Sequence, residues 1–211
     1  ARAARLLKLR LPTPVVVLAL PRGGVPIGAV VARSLQAPLD LLLVRKIGAP
    51  WQSELALAAV AEGEPPEIVV DDELRRAAGV GHDWIEAQAA EQMREIARRR
   101  QLYLHGRAPL AVQGCSAVVV DDGIATGSTL RAALKALRRR QPARLVLAVP
   151  VAPHAALRRL RAEVAQIVCL ATPQPFRAVG VHYRDFHQVD DDEVMAALAE
   201  SAAGAERGSE T

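Results

Sequence analysis

Short apolar runs alternate with amphipathic segments along most of the chain. The runs at 14–20, 39–44, 118–120, 144–151 and 164–170 are rich in Val, Leu and Ala, which is typical of buried parallel strands. Apolar residues recur at helical spacing after most of these runs, and the predicted helices are 27–35, 83–103, 130–138 and 153–163. We therefore predict an α/β fold, a mostly parallel twisted sheet with helices on both faces and right-handed crossovers.

Two segments depart from this rhythm. At 45–70, two cations follow a strand and enter a Gly/Pro-containing loop, and two short apolar runs come after it, which indicates a small β-excursion that can act as a lid. The segment 172–203 contains half of the aromatic residues and an acidic run, Asp190–Glu193, that is typical of a helix N-terminus. The predicted organisation is a core at 1–171 that includes the lid, a C-terminal hood or appendage at 172–203, and a disordered tail at 204–211.

Composition and charge narrow the class of protein. A chain of 211 residues that is 51% hydrophobic suits one α/β domain with an appendage, and no apolar run reaches the length of a membrane span. The net charge is +4, and the arginine runs 98–100 and 138–140 end predicted helices, so solvated helix ends are favoured over a nucleic-acid surface. Cys115 and Cys169 lie beside predicted strands as small buried residues, and we expect a cytoplasmic location.

The stretch 118–129 changes abruptly from a strand to a polar loop. Asp121 and Asp122 follow the strand directly, Gly123 and Gly127 remove side-chain bulk, and a helical pattern begins after the loop. Backbone N–H groups and the positive end of a helix dipole favour a phosphate at such a turn. Hydroxyl side chains can add donors there, and the two carboxylates can accept from sugar hydroxyls or bind a metal.

A second strand–glycine loop–helix unit occurs near the start of the chain. The loop reads Pro21-Arg22-Gly23-Gly24, in which the glycines allow conformations closed to other residues and Arg22 offers a fork of donors. By itself this is a tight turn with an incidental arginine. Paired with the loop that follows position 120, it predicts an anion site, because both loops would open onto the carboxyl edge of one sheet.

Three other phosphate-binding classes fit less well. A Walker P-loop requires a lysine after its last glycine, and none follows Gly127. A dehalogenase-like phosphatase has one residue between its two aspartates, whereas Asp121 and Asp122 are adjacent. The glycines at 23, 24 and 28 lack the spacing of a dinucleotide-binding loop.

Residues 118–129 resemble the phosphoribosyl diphosphate (PRPP) signature of type I phosphoribosyltransferases, in which an apolar strand, two acids and an Ala/Thr/Gly-rich loop follow one another. Pro21–Gly24 resembles the diphosphate loop of that family, where an unusual cis peptide is often present. Arg45-Lys46 and the loop after them resemble its flexible catalytic loop. The order and spacing over 15–189 are similar to those of a bacterial group of phosphoribosyltransferases.

The resemblance implies a Mg²⁺-dependent transfer of the phosphoribosyl group to a nitrogen acceptor, with a nucleobase as the expected acceptor. It assigns the 5′-phosphate to Ala125, Thr126, Gly127, Ser128 and Thr129, the diphosphate to Arg22, Gly23, Gly24 and Lys46, and the ribose hydroxyls to Asp121 and Asp122. Asp121 and Asp122 would also bind Mg²⁺, directly or through water and PRPP, and Arg22 and Lys46 would complete the catalytic set. A homodimer is expected, with neither a membrane nor a nucleic acid as partner.

One position separates this chain from part of the family. Members that act on 6-oxopurines carry a carboxylate where this chain has Ala125, so hypoxanthine and guanine are disfavoured as acceptors, and an adenine-like or unrelated nitrogen acceptor is left open. Phe176 or Tyr183 can stack on a base, although the aromatic tail can equally serve to cover the sheet edge. The competing hypothesis is a regulator that binds PRPP without catalysis, but Arg22 and Lys46 keep the leaving-group side equipped and favour an enzyme.

Overall fold

A computed structural model describes residues 11–12, 14–63 and 65–208, and the chain in it divides into two compact units. The first unit contains the described residues up to Leu41, together with Pro109–Gly127 and the chain from Arg140 onward. The second unit contains Leu42–Ala108 and Ser128–Arg139. Among the described residues, no helix is long and apolar enough to cross a membrane.

Strands and helices alternate through most of the chain, as the hydrophobic pattern predicts. In chain order the elements are β1 (Val15–Ala19), α1 (Gly24–Leu35), β2 (Leu39–Leu41), β3 (Val44–Ala49), β4 (Gln52–Ala61), β5 (Glu67–Val70), α2 (Asp72–Ala77), α3 (His82–Leu104), β6 (Ser116–Val120), α4 (Ser128–Arg139), β7 (Arg144–Val151), α5 (His154–Leu160), β8 (Gln166–Ala171), a 3-10 turn (Gly180–His182) and α6 (Asp191–Gly208).

The first unit is built on a five-stranded parallel sheet with the strand order β2-β1-β6-β7-β8. Strand β6 lies at the centre, and its residues Val118, Val119 and Val120 are fully buried. Helix α1 packs on β1 and β2, and α6 packs on α1. The predicted α/β fold with a parallel sheet flanked by helices is confirmed.

The second unit contains a three-stranded antiparallel sheet in the order β3-β4-β5. The prediction that Arg45 and Lys46 enter a loop is wrong, because both residues lie within β3 and pair with β4. The connection shortens to a turn at Pro50-Trp51, and the register shifts at Gly48, where a Cβ atom would meet the backbone of Ser53. The expected strands of the excursion are present as β4 and β5, and α2, which was not predicted, follows them.

A buried ion pair in the second unit corrects the interpretation of the first arginine run. Arg100 on α3 is 8% exposed, and its Nη2 donates to Glu62 Oε1 at 2.6 Å. Arg100 also donates through Nη1 to the carbonyl of Arg107 at 2.9 Å. The side chain is therefore not a solvated helix end: α3 packs on β4, which brings the guanidinium to the carboxylate that follows that strand.

The N-termini of two helices differ in how they are capped. Helix α3 follows Gly81, which makes no side-chain capping hydrogen bond. The acidic run does begin a helix, as predicted: Glu193 N–H donates to Asp190 Oδ1 at 2.8 Å, and Asp190 N–H donates to Glu193 Oε2 at 2.9 Å.

Two further expectations concern the end of the chain and the cysteines. Helix α6 continues to Gly208, past position 204, where the sequence predicts disorder, and 209–211 lie outside the described residues. Cys115 is buried as predicted, whereas Cys169 is only half-buried, and both are free thiols. The boundaries of the core, the lid and the appendage stay predictions.

Candidate functional site

Two loops of the first unit follow the neighbouring strands β1 and β6. At this point the direction in which the chain adds strands to the sheet reverses. The chain proceeds from β1 to β2 on one side and from β6 to β7 and β8 on the other, so the crevice between β1 and β6 is a topological switch point. The backbone joins the two strand ends there, because the N–H of Leu20 donates to the carbonyl of Val120 at 2.9 Å. The predicted loops Pro21–Gly24 and Asp121–Gly127 both start at this crevice.

The first loop is packed closely against the second. A Cβ atom on Gly23 would overlap the Asp122 carboxylate, 2.7 Å from its Cγ, and one on Gly24 would lie 2.8 Å from the carbonyl oxygen of Val120. The peptide bond between Pro21 and Arg22 is cis, and this bond, rather than one formed by a glycine, is the cis peptide of the loop. Glycine at both positions is thus required for the close approach of the loops.

Asp121 and Asp122 lie half-buried at the end of β6. Burial, together with the charge of Asp122, raises the pKa of Asp121 to about 8, and burial also raises the pKa of Asp122. The described residues offer no salt bridge to either carboxylate. Two adjacent acids in this environment resist simultaneous ionisation until a cation or a set of hydroxyl donors reaches them.

The acid pair fits Mg²⁺ that arrives with a phosphorylated ligand. Mg²⁺ takes oxygen ligands, commonly one or two carboxylates together with substrate phosphates and water. Asp121 and Asp122 supply two carboxylates, and no group of three or more metal-binding side chains is found in the described part of the chain. The two carboxylates therefore suit a Mg²⁺ ion that the ligand also coordinates, rather than an ion held by protein side chains alone.

The second loop ends at a helix, as the sequence predicts. The N–H of Ile124 donates to the carbonyl of Val151 at 3.0 Å, Gly127 has a φ of 78°, and α4 begins at Ser128. The backbone of Ala125–Thr129 thus leads into a helix N-terminus, where amide donors and the helix dipole favour an anion. Gly127 is needed at its position because a positive φ disfavours other residues.

The predicted site residues of the second unit share a small cavity. Lys46 on β3 and Ser128 and Thr129 at the start of α4 line about 170 Å³, together with Arg131 and Lys135. Three cationic side chains against one carboxylate, Asp71, give the cavity a net positive charge, and Ser128 and Thr129 add two hydroxyl donors. An anion is the ligand type that such a set of side chains favours.

The C-terminal segment of the first unit is fixed onto the acidic loop. The Tyr183 hydroxyl donates to the carbonyl of Asp122. A Cβ atom on Gly123 would lie 2.6 Å from Cγ1 of Val179, so the two chain segments are as close as glycine allows. Burial raises the pKa of the Tyr183 hydroxyl, and the negative charge of Asp122 acts in the same direction.

A cavity of about 570 Å³ opens beside this contact in the first unit. Its lining includes Arg22, Gly23, Asp122, Tyr183, Phe186 and His187. Of the two aromatic candidates from the sequence, Tyr183 lines the cavity, whereas Phe176 is not among the lining residues and stacks on His182 with ring centroids 5.4 Å apart. Phe186, which also lines the cavity, is not among the residues that the sequence predicts to stack on a base.

Ion pairs occupy the rim of this cavity. Arg22 Nη1 lies 3.6 Å from Asp191 Oδ1. His187 lies between two carboxylates, with Nε2 at 2.7 Å from Glu193 and Nδ1 at 3.5 Å from Asp185. The hydrogen bond to Glu193 is the main reason that the pKa of His187 is raised.

Comparison with known proteins gives a consistent result. The family model described as "Phosphoribosyl transferase domain" matches residues 3–185. Two Mycobacterium tuberculosis proteins, one of them named "Putative phosphoribosyl transferase Rv0571c", are 46% identical over 184 residues, which is 87% of this chain and 41% of theirs. The chain thus spans about two fifths of the length of these relatives.

A solved structure matches over nearly its whole length. The crystal structure of TT1426 from Thermus thermophilus is 42% identical in sequence, with a TM-score of 0.82. The match covers 94% of this chain and 95% of that one. Both the fold and the sequence of the described units are therefore shared with a protein of similar length.

Proposed function

Because the chain belongs to the phosphoribosyltransferase family, we propose that it transfers the 5-phosphoribosyl group of PRPP to a nitrogen acceptor and releases diphosphate. The observation that carries this proposal is the contact between the two loops at the switch point. The diphosphate candidates Gly23 and Gly24 lie against Asp122 and Val120, so the groups suited to a diphosphate and to a ribose meet within one unit. PRPP carries its diphosphate and its 2′-hydroxyl on adjacent carbon atoms of the ribose.

Each part of PRPP has a matching group in the chain. Asp121 and Asp122 accept hydrogen bonds from the ribose 2′- and 3′-hydroxyls, and Ala125–Thr129 bind the 5′-phosphate through backbone N–H groups and hydroxyls. Arg22 donates to the diphosphate, and Gly23 and Gly24 let its oxygens approach the backbone. Lys46 lies on β3 of the second unit, in one cavity with Ser128 and Thr129, and its assignment to the diphosphate rests on the resemblance to the family's catalytic loop alone.

Charge development explains why these residue types suit the reaction. The bond from the anomeric carbon to the diphosphate breaks, positive charge grows on the sugar and negative charge grows on the leaving group. Arg22 and Lys46 stabilise that negative charge, and bound Mg²⁺ neutralises part of it. Binding of the distant 5′-phosphate fixes the sugar's position and so favours reaction at the anomeric carbon.

Substitution of the acid pair tests the proposal. In the double variant Asp121→Asn, Asp122→Asn, two charge-assisted contacts are lost, and we expect the affinity for PRPP in Mg²⁺ to fall by about 100-fold or more. Isothermal titration calorimetry measures this directly. Asp83→Asn, at an exposed carboxylate of α3, is the matched control and should bind PRPP like the wild type.

The outcome also separates the enzyme from the regulator. Unchanged PRPP affinity in the double variant would refute the assignment of the ribose site. PRPP binding that responds to the substitutions, without diphosphate release in the presence of any nitrogen acceptor, would instead support a regulator that senses PRPP. Diphosphate release that depends on an acceptor and on Asp121 and Asp122 supports the transferase.

A further inference from the structure

The cavity beside Asp122 offers a planar surface to a ligand. Phe186 is 48% exposed although its ring packs on that of Tyr183, with centroids 5.1 Å apart. A Cβ atom on Gly180 would lie 2.6 Å from Cδ1 of Phe186, so the ring is held closely from that side as well. A half-exposed aromatic ring with two fixed neighbours suits stacking against a flat ligand.

The cavity volume is appropriate for a small molecule. Its volume of about 570 Å³ lies within the range of about 300–1,000 Å³ that is typical of ligand pockets. Asp122 and Gly23 form part of its wall, which places it directly beside the groups assigned above to the ribose and the diphosphate. A ligand in this cavity would therefore lie next to the sugar of bound PRPP.

The charges around the cavity select against an anionic ligand. The cationic side chains among its described lining residues are Arg22 and His187, and each of them lies beside a carboxylate. Asp185, which also lines the cavity, has a side chain that is 84% exposed and can accept hydrogen bonds. A carboxylate on the ligand would lie near these acids, while the two cations of the lining are already paired with other carboxylates. An N–H donor on the ligand would instead find carboxylate acceptors.

We propose that this cavity is the acceptor site and that it takes a neutral, planar nitrogen heterocycle bearing an amino group, rather than a heterocycle bearing a carboxylate. This inference rests on the proposed function. Phe186 stacks on the ring of the acceptor, and Asp185 accepts from its amino group. Tyr183 positions the segment through the carbonyl of Asp122 and is not itself the main stacking surface.

The transfer balances without a further reactant. The lone pair of a ring nitrogen forms the bond to the anomeric carbon as the bond from that carbon to the diphosphate oxygen breaks. The diphosphate leaves with the bonding pair. An acceptor with a ring N–H, such as adenine or cytosine, releases that proton to solvent water, whereas a ring nitrogen without a hydrogen, as in 2-aminopyrimidine, keeps a positive charge in the product. The products are an N-ribosyl monophosphate and diphosphate.

Two acceptor panels and two substitutions test the inference. Diphosphate release from PRPP and Mg²⁺ is measured with adenine, cytosine and 2-aminopyrimidine as neutral amines, and with orotate, nicotinate and quinolinate as carboxylates. We expect release with neutral amines only. Phe186→Ala should lower kcat/KM for the best amine by about tenfold or more through lost stacking, and Asp185→Asn by about three- to tenfold, mainly through KM.

A matched control and a separate binding measurement make the result decisive. Val181→Ala changes another exposed apolar residue of the same segment, one that does not line the cavity, and should leave kcat/KM unchanged. Preference for the carboxylate panel, turnover with neither panel while PRPP still binds by calorimetry, or unchanged kinetics in both variants would overturn the inference. Loss of PRPP binding by the wild-type protein would instead overturn the proposed function.

Discussion

Charged side chains with limited access to solvent have opposite surroundings in the two units. In the second unit, Glu62 and Arg100 form an ion pair whose members are 5% and 8% exposed, and Arg100 also donates to the carbonyl of Arg107. In the first unit, the like-charged neighbours Asp121 and Asp122 lie at the end of a buried strand, and the pKa of each is raised by burial. One pair is neutralised within the protein, and for the other we propose that a ligand or a metal ion supplies the missing partner.

This difference helps to separate structural groups from functional ones. A buried charge that meets its partner within the chain contributes to the stability of one conformation and has little left to offer a substrate. Two acids held together against their mutual repulsion are costly for folding, and such groups concentrate at binding sites. Glu62 and Asp121 are both carboxylates at strand ends, so the surroundings and not the residue type distinguish them.

The largest expected effect comes from breaking the completed pair. Arg100→Met leaves the Glu62 carboxylate buried without its guanidinium, and we expect a loss of about 3–5 kcal/mol in the free energy of unfolding. Urea denaturation with the control Arg94→Met, at an exposed position of α3, measures the loss. A change below about 1 kcal/mol would mean that this ion pair is dispensable and that the contrast with Asp121 and Asp122 is unfounded.

Removing one carboxylate of the Asp121–Asp122 pair is expected to have a smaller effect of opposite sign, namely an increase in stability. The folded-state pKa of Asp121 is about 8, above the usual value for aspartate, so the folded protein holds a proton that the unfolded chain releases. The contribution of Asp121 to stability therefore falls as the pH rises from about 4 to about 8. Without ligand or metal, Asp121→Asn should be more stable than the wild type at pH 8, by about 2 kcal/mol after allowance for solvent screening.

Urea midpoints between about pH 5 and about pH 9 in a chelator test this expectation. The difference between Asp121→Asn and the wild type should shrink towards the acid end of the series. A difference that is constant with pH would show that Asp121 is ionised throughout. The same series with Asp83→Asn controls for general effects of a removed charge.

The smallest effect is expected at an exposed pair. Glu95 lies 2.7 Å from Arg98 and 2.9 Å from Arg99, and hydrogen bonds from these two arginines lower the pKa of Glu95 to about 2. The pair's contribution is present above about pH 4.5 and is lost as the pH falls towards about 2. Because Arg98 is 62% exposed, Arg98→Ala should cost about 0.2–1 kcal/mol near neutral pH, and less in about 1 M salt. A loss of stability as large as that expected for Arg100→Met would show that burial does not determine how much these ion pairs contribute.

The sequence predicts best those features of the fold that depend only on the local residue pattern and on the connection of neighbouring elements. The apolar runs predicted the parallel strands, and the acids and glycines after position 120 predicted a polar loop between a strand and a helix. Both loops meet at the sheet edge because parallel strands at a switch point bring their carboxyl ends together. The helix at the acidic run was also predicted, since Asp190 and Glu193 are only three residues apart.

Long-range packing explains what the sequence did not predict. The run 39–44 reads as one strand, but β2 ends at Leu41 and β3 begins at Val44 in a different sheet, with Leu42 and Leu43 buried between them. No glycine or proline marks that break. The partner of Arg100 lies 38 residues away along the chain, beyond any helical or strand period.

The choice among aromatic residues depends on contacts of the same long-range kind. Phe176, Tyr183 and Phe186 look alike in a polar tail, and their surroundings differ only in the folded chain. Phe176 meets His182, the Tyr183 hydroxyl meets the carbonyl of Asp122, and Phe186 is left half-exposed in the cavity. The sequence signal that accompanies Phe186 is Gly180, which has no side chain to displace the ring.

The glycine contacts at 123 and 180 limit how this protein can be re-engineered. Val179 already touches the position that a Cβ atom of Gly123 would take, so its segment has no room to move towards the acidic loop, and Phe186 lies equally close to Gly180 within the segment itself. A designer who wants another ligand in the 570 Å³ cavity must therefore alter the side chains at 185–189 and leave the path of the backbone intact. Libraries that randomise those positions while keeping both glycines would retain the fold and vary only the chemistry of the rim.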